Sequence, residues 1–175
     1  MTHGNPPHSY PDVLAKKHPT WRVVSRGIGG VRTEQVLGTV EDMLIAQRPD
    51  VVIVLAGIND LTKNKTAEHA KKHLHLIYEQ VRGSGARVMA CTVMPTQVFG
   101  PEIGAGIEDI NAWVRDYSGK ENLGLCDLAK IMQDPANPQE TRQTTDGVHF
   151  TDEGYDNLGL AVDACLEKWL GAATK

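Results

Sequence analysis

Asp146 and His149 put a carboxylate three residues before an imidazole, within Thr144-Thr145-Asp146-Gly147-Val148-His149-Phe150-Thr151-Asp152-Glu153-Gly154-Tyr155. On a tight, glycine-containing loop this spacing lets Asp146 reach Nδ1 of His149. That contact would fix the tautomer and turn Nε2 toward a nucleophile as general base. The same pair also suits an Asx-turn aspartate beside a hydrogen-bonded loop histidine, and by itself it does not separate the two. Asn59, in Gly57-Ile58-Asn59-Asp60, follows the apolar run Val51–Ala56. An amide delivered at the carboxyl edge of a buried strand lies where open α/β sheets bind ligands, so Asn59 is a candidate donor to a substrate oxygen, unless it only closes a turn. His69 and His73 stand one helical turn apart. Without a third-ligand signal such as H-E-x-x-H they read as solvated surface, and no metal is expected.

The elements that must position these residues follow from periodicity. Thr151 suits an N-cap, Asp152 and Glu153 suit the positive end of the helix dipole, and Tyr155, Leu158, Val162, Cys165 and Trp169 recur at helical spacing. Upstream, Ser9 can cap a helix over 10–18 in which Pro11 is tolerated in the first turn. Arg22–Ser25 reads as a short β-branched strand, followed by Arg26-Gly27-Ile28-Gly29-Gly30 and a helix with Val36, Leu37, Val40 and Leu44 on one face. Gly27-x-Gly29-Gly30 is not G-x-G-x-x-G, which demotes a dinucleotide site. Val51–Ala56 is continuous enough for a parallel strand buried on both faces. A helix over 66–82 carries Ala70, Leu74, Ile77 and Val81 inward; the strand Arg87–Met94, ended by Pro95, comes next. Residues 97–106, with Phe99 and Ile103, read as a glycine-punctuated loop shaping a substrate mouth. The remainder is a helix over 107–118, a strand at Leu123–Leu128, a polar loop 133–145 and the final helix. Strands alternating with helices at this pitch predict an α/β fold with a parallel sheet between helical layers.

Composition narrows the partners. The 175 residues fit a single domain spanning 1–175, long enough to bury about 70 % of the surface its unfolded chain exposes. With 18 basic against 22 acidic residues and no Lys/Arg block longer than two, neither nucleic acid nor an anionic membrane is expected as a partner. No apolar run approaches the roughly 20 residues of a membrane span, and residues 1–21 are unlike a signal peptide. Three cysteines in apolar surroundings read as buried thiols rather than a disulfide or metal site, which sets a cytoplasmic expectation.

Three stretches, Gly27–Gly30, Gly57–Asp60 and Asp146–Tyr155, together resemble the SGNH (GDSL-type) hydrolases, whose motifs run N-x-G-x-x-G, G-x-N-D and D-x-x-H in that order. The resemblance implies a flavodoxin-like three-layer α/β/α fold with strand order 2-1-3-4-5. It assigns a backbone N–H of Gly30 and the side chain of Asn59 to an oxyanion hole, His149 as base and Asp146 as its orienter, with no cofactor. Ser25 stands where the family often has Asn. The family's first motif is Gly-Asp-Ser followed by Leu, Ile or Met, then Thr-x-Gly, and this chain opens Met1-Thr2-His3-Gly4. Met1 therefore looks like the residue directly after the nucleophilic serine. That serine and its strand, the first in the family's order, are expected to be absent, leaving no nucleophile in the chain. The implied function is hydrolysis of small acyl, aryl or acetylated-sugar esters, with the 175 residues inactive as they stand. A non-catalytic binding module that keeps the pocket is the rival, and a flavodoxin-like nucleotide binder a third reading. A sheet open at the vacated strand would invite homo-oligomers, and a signal peptide upstream of Met1 is compatible with the same reading.

Overall fold

In the computed structural model, which describes residues 9–172, the central strands sort their side chains with the period of two that a pleated strand imposes. The strands β1 (Val51–Val54), β2 (Arg87–Cys91) and β3 (Gly124–Cys126) form a parallel sheet in the order β1-β2-β3, with Val51 opposite Arg87 and Met89 opposite Gly124. Val52, Val54, Val88 and Ala90 face one apolar cluster; Val51, Ile53, Met89 and Cys91 face the other. Helices complete both clusters. On the first face lie α2 (Thr33–Gln47), α3 (Ile58–Thr62), α4 (Ala67–Gly83) and α5 (Pro101–Lys120), contributing Leu44, Leu61, Leu74 and Ile110 among others. On the second lie α1 (Tyr10–Lys17), α6 (Leu128–Met132) and α7 (Asp152–Ala172), contributing Leu14, Met132, Leu158 and Val162. The result is a three-layer α/β/α sandwich.

Capping follows the sequence. The Ser9 N–H donates to Asp12 Oδ2 at 3.3 Å ahead of α1, and the His69 N–H donates to the Thr66 hydroxyl at 3.1 Å ahead of α4. The Gly154 N–H donates to Thr151 Oγ1 at 3.1 Å, so Thr151 caps α7 as its hydroxyl predicts.

Three expectations need correction. Arg22–Ser25 is not a strand: residues 22–28 have no regular structure, and among the described residues β1 pairs only with β2. A β-branched stretch forms a strand only where a neighbour completes its ladder. Here residues 20–28 and β1 instead line a cavity of about 1000 Å³. The loop assigned to 97–106 ends at Gly100, and α5 begins at Pro101. Gly106 answers to packing: a Cβ there would lie 2.8 Å from Leu61 Cδ2, so glycine lets α3 approach α5.

The third correction concerns the cysteines. Cys126 of β3 and Cys165 of α7 form a disulfide with Cα atoms 5.4 Å apart, inside the range such a bridge requires. They are 39 residues apart, and only the docking of α7 on β3 brings them together. Cys91 alone is a buried free thiol, and desolvation pushes its pKa up to about 12. The expectation of a reducing compartment rested on free thiols and loses that support. Among the described residues no helix is long and apolar enough to cross a membrane.

Candidate active site

The turn between Thr144 and Thr151 is held from both sides. Thr144 bridges Phe150 in antiparallel fashion, the Thr145 N–H donates to the His149 carbonyl at 2.7 Å, and the Thr151 N–H donates to that of Gln143 at 2.8 Å. Phe150 and Tyr155 are buried and meet edge-on with ring centroids 5.4 Å apart, anchoring the turn to α7. Gly147 has φ +82°, and a Cβ there would lie 2.3 Å from Val98 Cγ2. Glycine is therefore required twice, for the left-handed backbone and for the approach of residue 98.

Within this frame Asp146 Oδ1 accepts the backbone N–H groups of Val148 at 3.0 Å and His149 at 2.7 Å. Its Oδ2 lies 2.7 Å from His149 Nδ1. The bond to the His149 ring, followed by the two backbone N–H groups, stabilises the ionised carboxylate and pushes Asp146 down to about 2. A carboxylate that only accepts makes Nδ1 the protonated nitrogen and Nε2 the basic one. Both side chains are about half exposed, at 54 % for Asp146 and 47 % for His149.

On the other side, Gly57 (φ +132°) turns the chain sharply from β1 into α3. The first turn of α3 grips the loop before α2. Asn59 Nδ2 donates to the Val31 carbonyl at 3.0 Å, and Asp60 accepts from the Thr33 N–H at 2.9 Å and its hydroxyl at 2.7 Å; Lys63 Nζ donates to the Gly30 carbonyl. These bonds fix Gly30, whose φ is +74°, relative to Asn59. An amide nitrogen has two hydrogens, so the bond to Val31 orients Asn59 and leaves its second N–H for another acceptor.

Asn59 and His149 line the same cavity, whereas Gly30 and Asp146 lie outside its lining. Ser25, Gly27 and Thr96 also line it. Asp60 and Thr33 are both fully buried, and they are the positioning residues that sequence reasoning passed over. The acid beside Asn59 and a threonine at a helix start were the only signals for them. His69 and His73 also differ from their reading as solvated surface. His69 Nδ1 lies 3.0 Å from Asp60 and its Nε2 2.9 Å from Glu34, and His73 Nδ1 donates to the His69 carbonyl at 2.7 Å.

Residues 1–156 match the GDSL-like lipase/acylhydrolase family. The chain belongs to that family. Among solved structures, a GDSL-like lipase from Bacteroides thetaiotaomicron VPI-5482 superposes with TM-score 0.80 at 22 % identity, covering 91 % of this chain and 80 % of that one. An acetyl xylan esterase superposes with TM-score 0.76 at 20 % identity, covering 90 % of each. At such identities these likenesses speak for the fold. An N-acylneuraminate cytidylyltransferase from Streptococcus agalactiae serotype V (strain ATCC BAA-611 / 2603 V/R) is 25 % identical over 130 residues, 74 % of this chain. The chain spans 31 % of that relative's length. As a GDSL-like acylhydrolase domain, the chain carries its glycine loop, its Gly-x-Asn-Asp turn and its Asp-x-x-His turn around one cavity.

Proposed function

We propose that this domain is a serine ester hydrolase for small acyl, aryl or acetylated-sugar esters, worked by His149 and Asp146, with its nucleophile segment absent from the 175 residues. The observation that carries the reading is the contact of Asp146 with His149 Nδ1 at 2.7 Å, which prepares the opposite nitrogen as a base. In the full reaction a serine oxygen attacks the ester carbonyl while His149 Nε2 takes its proton. The oxyanion is held by the Gly30 N–H, the second Asn59 N–H and the serine's own N–H, and His149 returns the proton to the departing alcohol. Water then attacks the acyl-serine by the same route.

The chain's serines offer no substitute. Ser9 precedes α1, Ser84 follows α4, Ser118 is buried in α5, and Ser25 is exposed at the cavity mouth on an irregular segment. The cavity beside β1, largely apolar and bounded by residues 20–28, suits an added parallel strand carrying the serine. Among the described residues that edge of β1 is unpaired, and it suits a strand from a second copy of the chain as well. The alternative reading is a pocket that binds esters or sugars without chemistry. Hydrolysis of a short-chain aryl ester separates the two. Residues 1–175 should show none, and a fusion placing a β-strand ending in Gly-Asp-Ser before Met1 should recover it. A folded fusion that binds the ester without cleaving it establishes the binding module instead.

A further inference from the structure

We propose that Glu34, His69 and His73 form a divalent-metal site, of the zinc class, that clamps α2 to α4. None of the three lines the cavity at His149. The argument begins with His69, whose ring stands between two carboxylates: Nδ1 is 3.0 Å from Asp60 Oδ1 and Nε2 is 2.9 Å from Glu34 Oε2. A neutral imidazole has one N–H and cannot serve both. Asp60 is fully buried and relies on protein donors, whereas Glu34 is 31 % exposed, so the N–H belongs on Nδ1. His69 Nε2 stands 2.9 Å from Glu34 Oε2, two ligand atoms that a cation between them would hold together.

His73 supplies what a metal needs and a proton does not. Its Nδ1 lies 2.7 Å from the His69 carbonyl oxygen, which only accepts, so Nδ1 is protonated and Nε2 carries the lone pair. The two imidazole centroids are 4.3 Å apart, and ligand atoms from Glu34, His69 and His73 lie within 4.8 Å of one another. Zinc bonds of about 2.0–2.1 Å set tetrahedral ligands about 3.3 Å apart, so the His69–Glu34 pair at 2.9 Å opens slightly and the wider pairs close from within 4.8 Å. Two imidazoles, a carboxylate and one open position form a nitrogen-rich set suited to Zn²⁺ and its neighbours. The surroundings match. Asp60 receives the far N–H of His69, the outer-shell arrangement that orients metal-bound histidines. Glu34 is anchored through Oε1 by Arg32 Nε at 2.9 Å, which pushes its pKa down and keeps the ligand ionised.

The test is isothermal titration of the metal-stripped, tag-free chain with ZnCl₂ at neutral pH. One equivalent should bind. Glu34→Gln and His73→Gln should each weaken binding about tenfold or more, and Co²⁺ should give the visible absorption of a four-coordinate ion in the parent but not in the variants. These substitutions leave the Asp60–His69 bond intact, so both variants should fold, as circular dichroism would verify. Absence of stoichiometric binding overturns the site, as does binding that both variants retain.

Discussion

Asp60 accepts two hydrogen bonds from Thr33, one from its N–H at 2.9 Å and one from its hydroxyl at 2.7 Å, with both residues fully buried. This bond pair joins the turn after β1 to the first residue of α2, and so sets Gly30 against Asn59. Replacing Asp60 by Ala strands two buried donors, each costing about 1–3 kcal/mol. Asp60→Ala should therefore lower the unfolding free energy by about 3 kcal/mol, read as a shifted denaturant midpoint at constant slope. A loss below about 1 kcal/mol would mean the Thr33 contact is dispensable.

That contact marks the limit of what the sequence could reveal. Periodicity located α2, α4 and α7 because their apolar faces are set by the sheet they cover, and β1 was readable from its unbroken apolar run, although only Val54 is buried and the strand lines the cavity instead of being covered on both faces. The Asp146–His149 turn was visible because its partners are three residues apart. What escaped depends on distant segments meeting. Cys126 finds Cys165 only after α7 docks, and Glu34 reaches His69 across 35 positions. The start of α5 was obscured by Gly100, Gly104 and Gly106, of which Gly106 lies against Leu61. Val23 and Val24 have strand character, but the pattern could not say that no strand among the described residues would pair with them.

The Asp146 carboxylate, pushed down to about 2 by His149 and the turn's N–H groups, should stay ionised through the mildly acidic range. Its folded value lies below its ordinary 3.8, so its contribution to stability is present above pH ~4 and is lost as pH falls toward 2. A carbon-detected NMR titration of the Asp146 carboxyl should give a midpoint near 2 that rises in His149→Ala. A midpoint at the ordinary value would dissolve the pairing.

Gly147 tests the packing of the turn. Gly147→Ala should cost about 2–4 kcal/mol, combining left-handed backbone strain with overpacking against Val98. Adding Val98→Ala should recover the overpacking part only. The coupling in a double-mutant cycle measures that share, and strict additivity would show that Val98 does not press on the turn.

The bridge between Cys126 and Cys165 closes a sequence separation of 39 residues. A loop of that size stabilises by about 3–4 kcal/mol in the chain-entropy description, so Cys165→Ala should lower stability by that order, and a reductant should act on the parent but not on the variant. Equal response of both proteins to reductant would count against the bridge.

The most direct measurement of the hydrolase reading is pre-steady-state turnover of an activated aryl ester by the chain extended with a strand ending in Gly-Asp-Ser. The account predicts a burst of one equivalent of alcohol, an acyl adduct mapped by mass spectrometry to the added serine, and a rate lowered by about 10³-fold or more in His149→Ala. A burst from residues 1–175 alone, with the adduct on one of their own side chains, would contradict it.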